Sequence, residues 1–290
     1  MQATGAVRTL TTAMDTLVMP VGPPWPTGSR IAREVAEDVV YSGRWGTRPI
    51  QDAALDARAA LLVAEDHLLG IAALIEAPDI VVAPLSLGRT VLAAAARAFW
   101  QLDPDIDARE RLCRAMNVRL HSYRERSGLL ETEDVRDRDR LGRLLLDIIQ
   151  TAPRHGFEVK QGKAGPGGLW PLRWLDEPLP KEMQLVERLF HGLGEQGTGT
   201  LAYQYGSAVV HAQPHGLGML EARVESAAVD GVVSGRVGIT SQQLARYLVG
   251  PLFGVHLACQ RFVEHVGGRV QTWDRAVQPA LRTWAALMGP

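Results

Sequence analysis

The sequence predicts an all-α fold, a multi-helix bundle of about nine helices carrying a small β-hairpin near residues 218–239. Three observations predict it. Apolar residues recur at three- and four-residue steps over most of the chain from Ile31 to Met288, the period of a helix with one buried face. Sustained period-two alternation is confined to Met219-Leu-Glu-Ala-Arg-Val-Glu-Ser226 and Val232-Val-Ser-Gly-Arg-Val-Gly-Ile239, which reads as paired strands. No run of about 18 apolar residues is present to span a bilayer as a helix, so no membrane partner is expected.

Residues 1–28 read as an N-terminal Pro-rich arm: a weak amphipathic stretch, then Val21-Gly-Pro-Pro-Trp-Pro-Thr-Gly28. Proline fixes φ and removes donors, which favours extended packing, with Trp25 anchoring the arm to the body. Residues 29–290 read as a single helical domain. Ile31, Val35, Val39 and Val40 define a short helix ending near Gly43. Leu55, Ala59, Leu62, Leu69 and Ala73 define a long one over 50–76, and Pro84 opens another over 85–102, whose Ala93–Ala96 run permits close packing. Asp107 with Glu110 resembles an acidic capping box for a helix to about Ser127, followed by a helix over 132–151. Residues 152–180 are rich in Gly, Pro and Trp and are expected to form a loop or lid. Helix resumes over 181–193 and 198–212, then from the Thr240/Gln243 capping box to about 266, and from Trp273 to Met288.

At 290 residues the chain can bury a sizeable core, and 46% hydrophobic with 22% charged residues is a globular balance. A net charge of −1 provides no global attraction to phosphate, so nucleic-acid binding would need a local patch. Only Lys160, Lys163 and Lys181 are lysines among 31 cationic residues, a usage typical of GC-rich coding. Cys113 and Cys259 stand far apart without ligand spacing and are expected to be small buried residues in a reducing compartment. The N-terminal stretch lacks the pattern of a signal peptide, so a cytoplasmic location is expected.

Chemistry-bearing residues are sparse. Tyr203, Ser207 and His211 lie four apart and share one helix face, where an imidazole could act as base toward a serine hydroxyl. Arg114, Asn117, His121 and Arg124 form a polar stripe beside the apolar one, suited to lining a cleft that holds an anion. His211 and His215 have the spacing of a helical metal pair, but Pro214 breaks the helix between them, and no metal or cofactor is expected. Asp103-Pro-Asp-Ile-Asp107 reads as a helix stop and cap. Glu65 and Asp66, beside His67 in the middle of an apolar helix, must be paired, exposed or functional, and Arg89 on the following helix is the partner expected if they are paired. His256, Gln260 and Glu264 share a further face. Gly-rich phosphate loops, Walker and Rossmann motifs are absent.

Three segments carry a resemblance: Pro84-Leu-Ser-Leu-Gly-Arg-Thr-Val-Leu-Ala-Ala-Ala-Ala-Arg-Ala-Phe-Trp100 with Leu102-Asp-Pro104, the Tyr203…Ser207…His211 helix, and Trp273-Asp274. Together they resemble uncharacterised actinobacterial all-helical proteins, themselves distantly similar to HEPN-like domain-of-unknown-function families, over roughly residues 50–275. In that pattern Arg89 is usually followed four residues on by Glu, here Ala93, and the motif tyrosine by Arg, here Gln204. The Arg114-x6-His121 spacing is similar to the Arg-x(4–6)-His pair of HEPN ribonucleases, which implies a catalytic part for His121; loss of the cation at Gln204 argues against ribonuclease chemistry.

The expectation is therefore a HEPN-like protein that binds a small or nucleotide-like ligand in an Arg/His-lined cleft, in a regulatory or defence role. The site would draw catalytic groups from Ser207, His211 and His121, and binding groups from Arg89, Arg114, Arg124 and Tyr203. Two alternatives stand beside it: a specialised-metabolism enzyme of cyclase or lyase type working in an apolar bundle interior, and a non-catalytic homodimeric scaffold.

Overall fold

The computed structural model describes residues 2–77, 80–129, 135–163, 171–191, 198–217, 220–224 and 235–289. The described residues form helices α1 (Gln2–Leu17), α2 (Arg30–Val35), α3 (Asp38–Tyr41), α4 (Pro49–Ile75), α5 (Ala83–Gln101) and α6 (Ala108–Leu129). These are followed by α7 (Val135–Thr151), α8 (Glu182–Phe190), α9 (Thr198–Val210), α10 (Pro214–Leu217), α11 (Ser241–His265) and α12 (Val270–Met288). The all-α architecture is as the periodicity predicts. Caps stand where the sequence puts them: Asp107 Oδ1 accepts from Glu110 N at 2.7 Å, and Thr240 and Gln243 cap α11 reciprocally.

The central core joins α1, α4, α5, α11 and α12 through buried side chains such as Leu10, Leu68, Val91, Phe262 and Trp273. A second cluster packs α6 and α7 around Leu112, Met116, Leu145 and Phe157, and a third packs α8 on α5 through Leu92, Trp100, Leu185 and Leu189. Helix α5 touches α4, α8, α9 and α11. Its small residues allow this, since a Cβ on Gly88 would lie 2.7 Å from Leu248 Cδ2.

The first part of the expected N-terminal arm is helix α1, and it belongs to the core: Val7, Leu10 and Met14 are fully buried. Thr11, which interrupts the apolar pattern in the sequence, is tolerated inside because its hydroxyl donates to the Arg8 carbonyl one turn back, at 3.1 Å. Thr12 and Asp15 point outward.

The expected hairpin is present as strands β3 (Glu221–Val224) and β4 (Gly235–Gly238), antiparallel with Glu221 opposite Gly238; its connection, 225–234, lies outside the described residues. A second ladder occupies the stretch expected as a loop or lid. There, β1 (Val159–Gln161) pairs antiparallel with β2 (Arg173–Leu175), while 164–170, including Trp170, lie outside the described residues. Asn117 docks this ladder on α6. Its Oδ1 accepts from Leu175 N at 2.7 Å, and its Nδ2 donates to Leu175 O and Glu177 O at 3.0 and 2.8 Å. Among the described residues no helix is long and apolar enough to cross a membrane.

Candidate functional site

Helices α5, α9 and α11 meet around a cleft of about 290 Å³. Helix α11 opens it. Gly250 contributes no side chain, and Pro251 offers no N–H to the carbonyl of Tyr247 four residues earlier, so the helix is locally unsupported there. The facing helices are also pared down: Gly88 on α5, and Ala202 and Gly206 on α9. Leu85, Leu92, Phe190 and Phe253 supply apolar walls, while Arg89, Tyr205, Arg246 and Tyr247 supply the polar groups.

Arg89 is fixed before any ligand arrives. Its Nη2 donates to Tyr203 Oη at 2.8 Å and to Glu182 Oε2 at 3.4 Å, and the Tyr203 hydroxyl donates to the same Glu182 oxygen at 3.0 Å. The guanidinium also lies 5.1 Å from the centroid of the Tyr203 ring. Two polar atoms of cleft-lining residues, Arg89 Nε and Tyr247 Oη, are buried without a hydrogen-bond partner among the described residues. Burial raises the pKa of the Tyr247 phenol above its ordinary value, with the Tyr205 hydroxyl reinforcing the shift, so the group is a neutral donor at physiological pH.

The structure thus brings Arg89 and Tyr203 together, with Glu182 as the carboxylate partner. Glu65, the partner expected for Arg89, is buried on α4 with its Oε1 unpartnered; burial, reinforced by Asp15, pushes its pKa up to about 7.

The expected pairing of Ser207 with His211 is not formed: their link is the backbone bond from His211 N to Ser207 O at 3.0 Å. The reason is helix termination. Helix α9 ends at Val210, Ala212 takes a left-handed φ of 50°, and Gln213 N returns to Ala208 O at 2.8 Å. His211 is left exposed beyond the helix end, and His215 sits on the separate helix α10. Ser207 is half-buried, and neither it nor His211 lines the cleft.

The α6 stripe does not reach the cleft either. Arg114 and Asn117 line a different, polar cleft of about 490 Å³ beside Trp100, Asp176 and Arg188. Arg114 is already engaged there, donating to Trp100 O at 2.5 Å and Glu110 at 2.7 Å while stacking on Trp100 at 4.9 Å. His121 is exposed, and Arg124 pairs with Glu125 at 2.5 Å. The single cleft expected from Arg89, His121, Arg124, Ser207 and His211 is therefore not assembled, because α6 turns its polar stripe to internal pairing and to the β1–β2 ladder.

His256 and Gln260 tie α11 to α12. Trp273 Nε1 lies 3.1 Å from His256 Nδ1 and Gln260 Nε2 3.5 Å from Asp274, so the Trp273-Asp274 pair is a packing anchor. Among the described residues no three His, Cys, Asp or Glu side chains gather as a metal-binding set. No family model, curated protein or solved structure matches the chain. Sequence reading missed Glu182, Tyr247 and the Gly250-Pro251 pair. The last carried a readable signal, since a Gly-Pro step inside a 25-residue helix marks a local opening.

Proposed function

We propose that the chain is a small-molecule-binding protein, and that its ligand lies in the α5/α9/α11 cleft with an apolar or aromatic body and one anionic oxygen-bearing end. The observation that carries this reading is a mostly apolar cleft of about 290 Å³ lined by Arg89 and Tyr247, each of which keeps a buried polar atom, Nε and Oη, without a partner among the described residues. An unsatisfied buried polar group costs about 1–3 kcal/mol, so a ligand oxygen that meets either atom gains more than an ordinary hydrogen bond gives. The hold of Tyr203 and Glu182 on Arg89 lowers the ordering cost on binding. A guanidinium, with its planar fork, suits a carboxylate.

The apolar walls favour a hydrocarbon or aromatic body over a nucleotide. The HEPN-like reading enters as a helical scaffold turned to ligand binding, since Ser207, His211 and His121 stand away from this cleft. Titration calorimetry with 1-naphthoate and the neutral isostere 1-naphthamide tests the proposal. Naphthoate is expected to bind at least tenfold more tightly, with the preference lost in Arg89→Leu. Equal binding of the two probes, or a preference that survives Arg89→Leu, would remove the anionic end from the account.

A further inference from the structure

At the opposite end of α11 a second, polar cleft of about 320 Å³ opens between α2, the 102–104 turn and the C-terminus of α11. Arg30, Arg33, Arg261 and His265 line it, with Glu264 as the carboxylate among its described lining residues. Two of these residues, Arg30 and His265, also adjoin a buried ion network centred on Glu34. Arg111 grips Glu34 at 2.9 and 3.2 Å, and Arg30 Nε donates to Glu34 Oε1 at 2.7 Å, so two guanidinium groups share one buried carboxylate. Arg30 and Arg111 use further N–H groups on the carbonyls of Pro104, Ile106, Gln101 and Asp103.

His265 is the anomaly. It is 2% exposed, and neither ring nitrogen has a hydrogen-bond partner among the described residues. Nε2 lies 3.6 Å from Glu34 Oε2, beyond hydrogen-bond range, yet this places the N–H most favourably on that side and leaves Nδ1 as an acceptor. Burial and the fields of Arg111 and Arg30 hold the imidazole neutral, with its pKa down to about 3. Nearer the mouth, Arg33 donates Nη1 to Gly28 O at 2.6 Å and Arg261 donates Nη1 to Phe99 O at 2.8 Å. The remaining N–H groups of Arg33 have no partner among the described residues, and Arg261 adds Asp103 Oδ1 at 3.8 Å and stacks on the Phe99 ring, 3.3 Å from its centroid.

We infer that this cleft binds a hydrogen-phosphate group, free or esterified, through Arg33 and Arg261, with the neutral His265 ring accepting a hydrogen bond from its P–O–H. Guanidinium groups supply the charge and bidentate donors that phosphate oxygens accept. A neutral imidazole with a vacant acceptor favours an oxyanion that still carries a proton, which inorganic hydrogen phosphate does at neutral pH, a phosphate monoester does near and below its second pKa of about 6, and sulfate does not. The site is independent of the α5/α9/α11 cleft: His265 is 15 residues beyond Gly250 on the same helix, about 22 Å along its axis.

Calorimetric titration of the full chain at about pH 6, where both free phosphate and its ester carry a P–O–H, with inorganic phosphate, glycerol phosphate and sulfate tests the inference. Phosphate or its ester is expected to bind at least fivefold more tightly than sulfate, the tighter of the two identifying the source of the group. Arg33→Ala, at an exposed position, is expected to weaken phosphate binding at least fivefold without changing naphthoate binding. His265→Phe is expected to remove the preference over sulfate; if that variant does not fold, the Arg33→Ala and sulfate comparisons decide. Absence of binding by both phosphate and glycerol phosphate, an affinity of the tighter one no greater than that of sulfate, or an affinity that Arg33→Ala leaves unchanged overturns the inference.

Discussion

Glu65→Gln is expected to flatten the loss of stability between about pH 4.5 and 7. Glu65 lies on α4, only 4% exposed, with Oε1 unpartnered and Asp15 adding negative potential. Its folded pKa of about 7 stands above the ordinary 4.5. Below pH 4.5 the carboxyl is protonated in both folded and unfolded chains and exerts no penalty. As pH rises from 4.5 towards 7 the unfolded chain ionises first, which favours unfolding, and above 7 the penalty is complete. The difference of about 7 and 4.5, near 2.5 units at about 1.36 kcal/mol each, amounts to roughly 3 kcal/mol. Gln keeps the shape and cannot ionise. Urea unfolding of both proteins at pH 5 and pH 8 isolates this group, because every other titration is common to the two and cancels in the difference. The account predicts a Gln variant more stable than the parent by less than about 1 kcal/mol at pH 5 and by about 3 kcal/mol at pH 8. Parallel pH profiles for the two proteins would refute the reasoning.

Removing one member of the Glu34–Arg111 pair leaves a buried charge alone, so Glu34→Ala is expected to lower unfolding free energy by about 3–5 kcal/mol in urea melts. A loss under 1 kcal/mol would show that the network is solvated. Both cysteines are expected to resist a thiol-disulfide reagent in the native state and to react on unfolding. Burial pushes the Cys113 thiol up to about 12 and the fully enclosed Cys259 thiol well above its ordinary range; rapid native labelling at neutral pH would contradict this. Ser207→Ala and His211→Ala are expected to leave 1-naphthoate affinity within twofold of the parent, as neither residue lines the cleft. A tenfold loss in either would restore the Ser–His pair to the site.

The fold was legible where period and cap agree. Thr240 and Gln243 announce α11, and Asp107 announces α6, because these side chains have no better use than the free N–H groups of a first turn. Helix α1 was hidden by Thr11, whose burial is acceptable only because the helix itself supplies an acceptor. The β1–β2 ladder was hidden because it draws its docking energy from Asn117, 58 residues before Leu175, and no local pattern records such a partner. At the site, helical spacing correctly places Tyr203 and Ser207 on one helix, yet a shared face does not say what it faces. Tyr203 meets Arg89; His211 falls past the helix end. The polar stripe on α6 was a true stripe, but Arg114 and Asn117 use it to hold the chain together.

The most direct test of the central claim is occlusion of the cleft. Ala202 lines it from α9, in van der Waals reach of the position a Cβ would take on Gly250 of α11, 3.4 Å away. Calorimetry of 1-naphthoate against the parent and Ala202→Phe, both checked for native helical content, should show binding in the first and at least a tenfold loss in the second. Undiminished binding to a folded Ala202→Phe protein would place the ligand elsewhere and contradict the account.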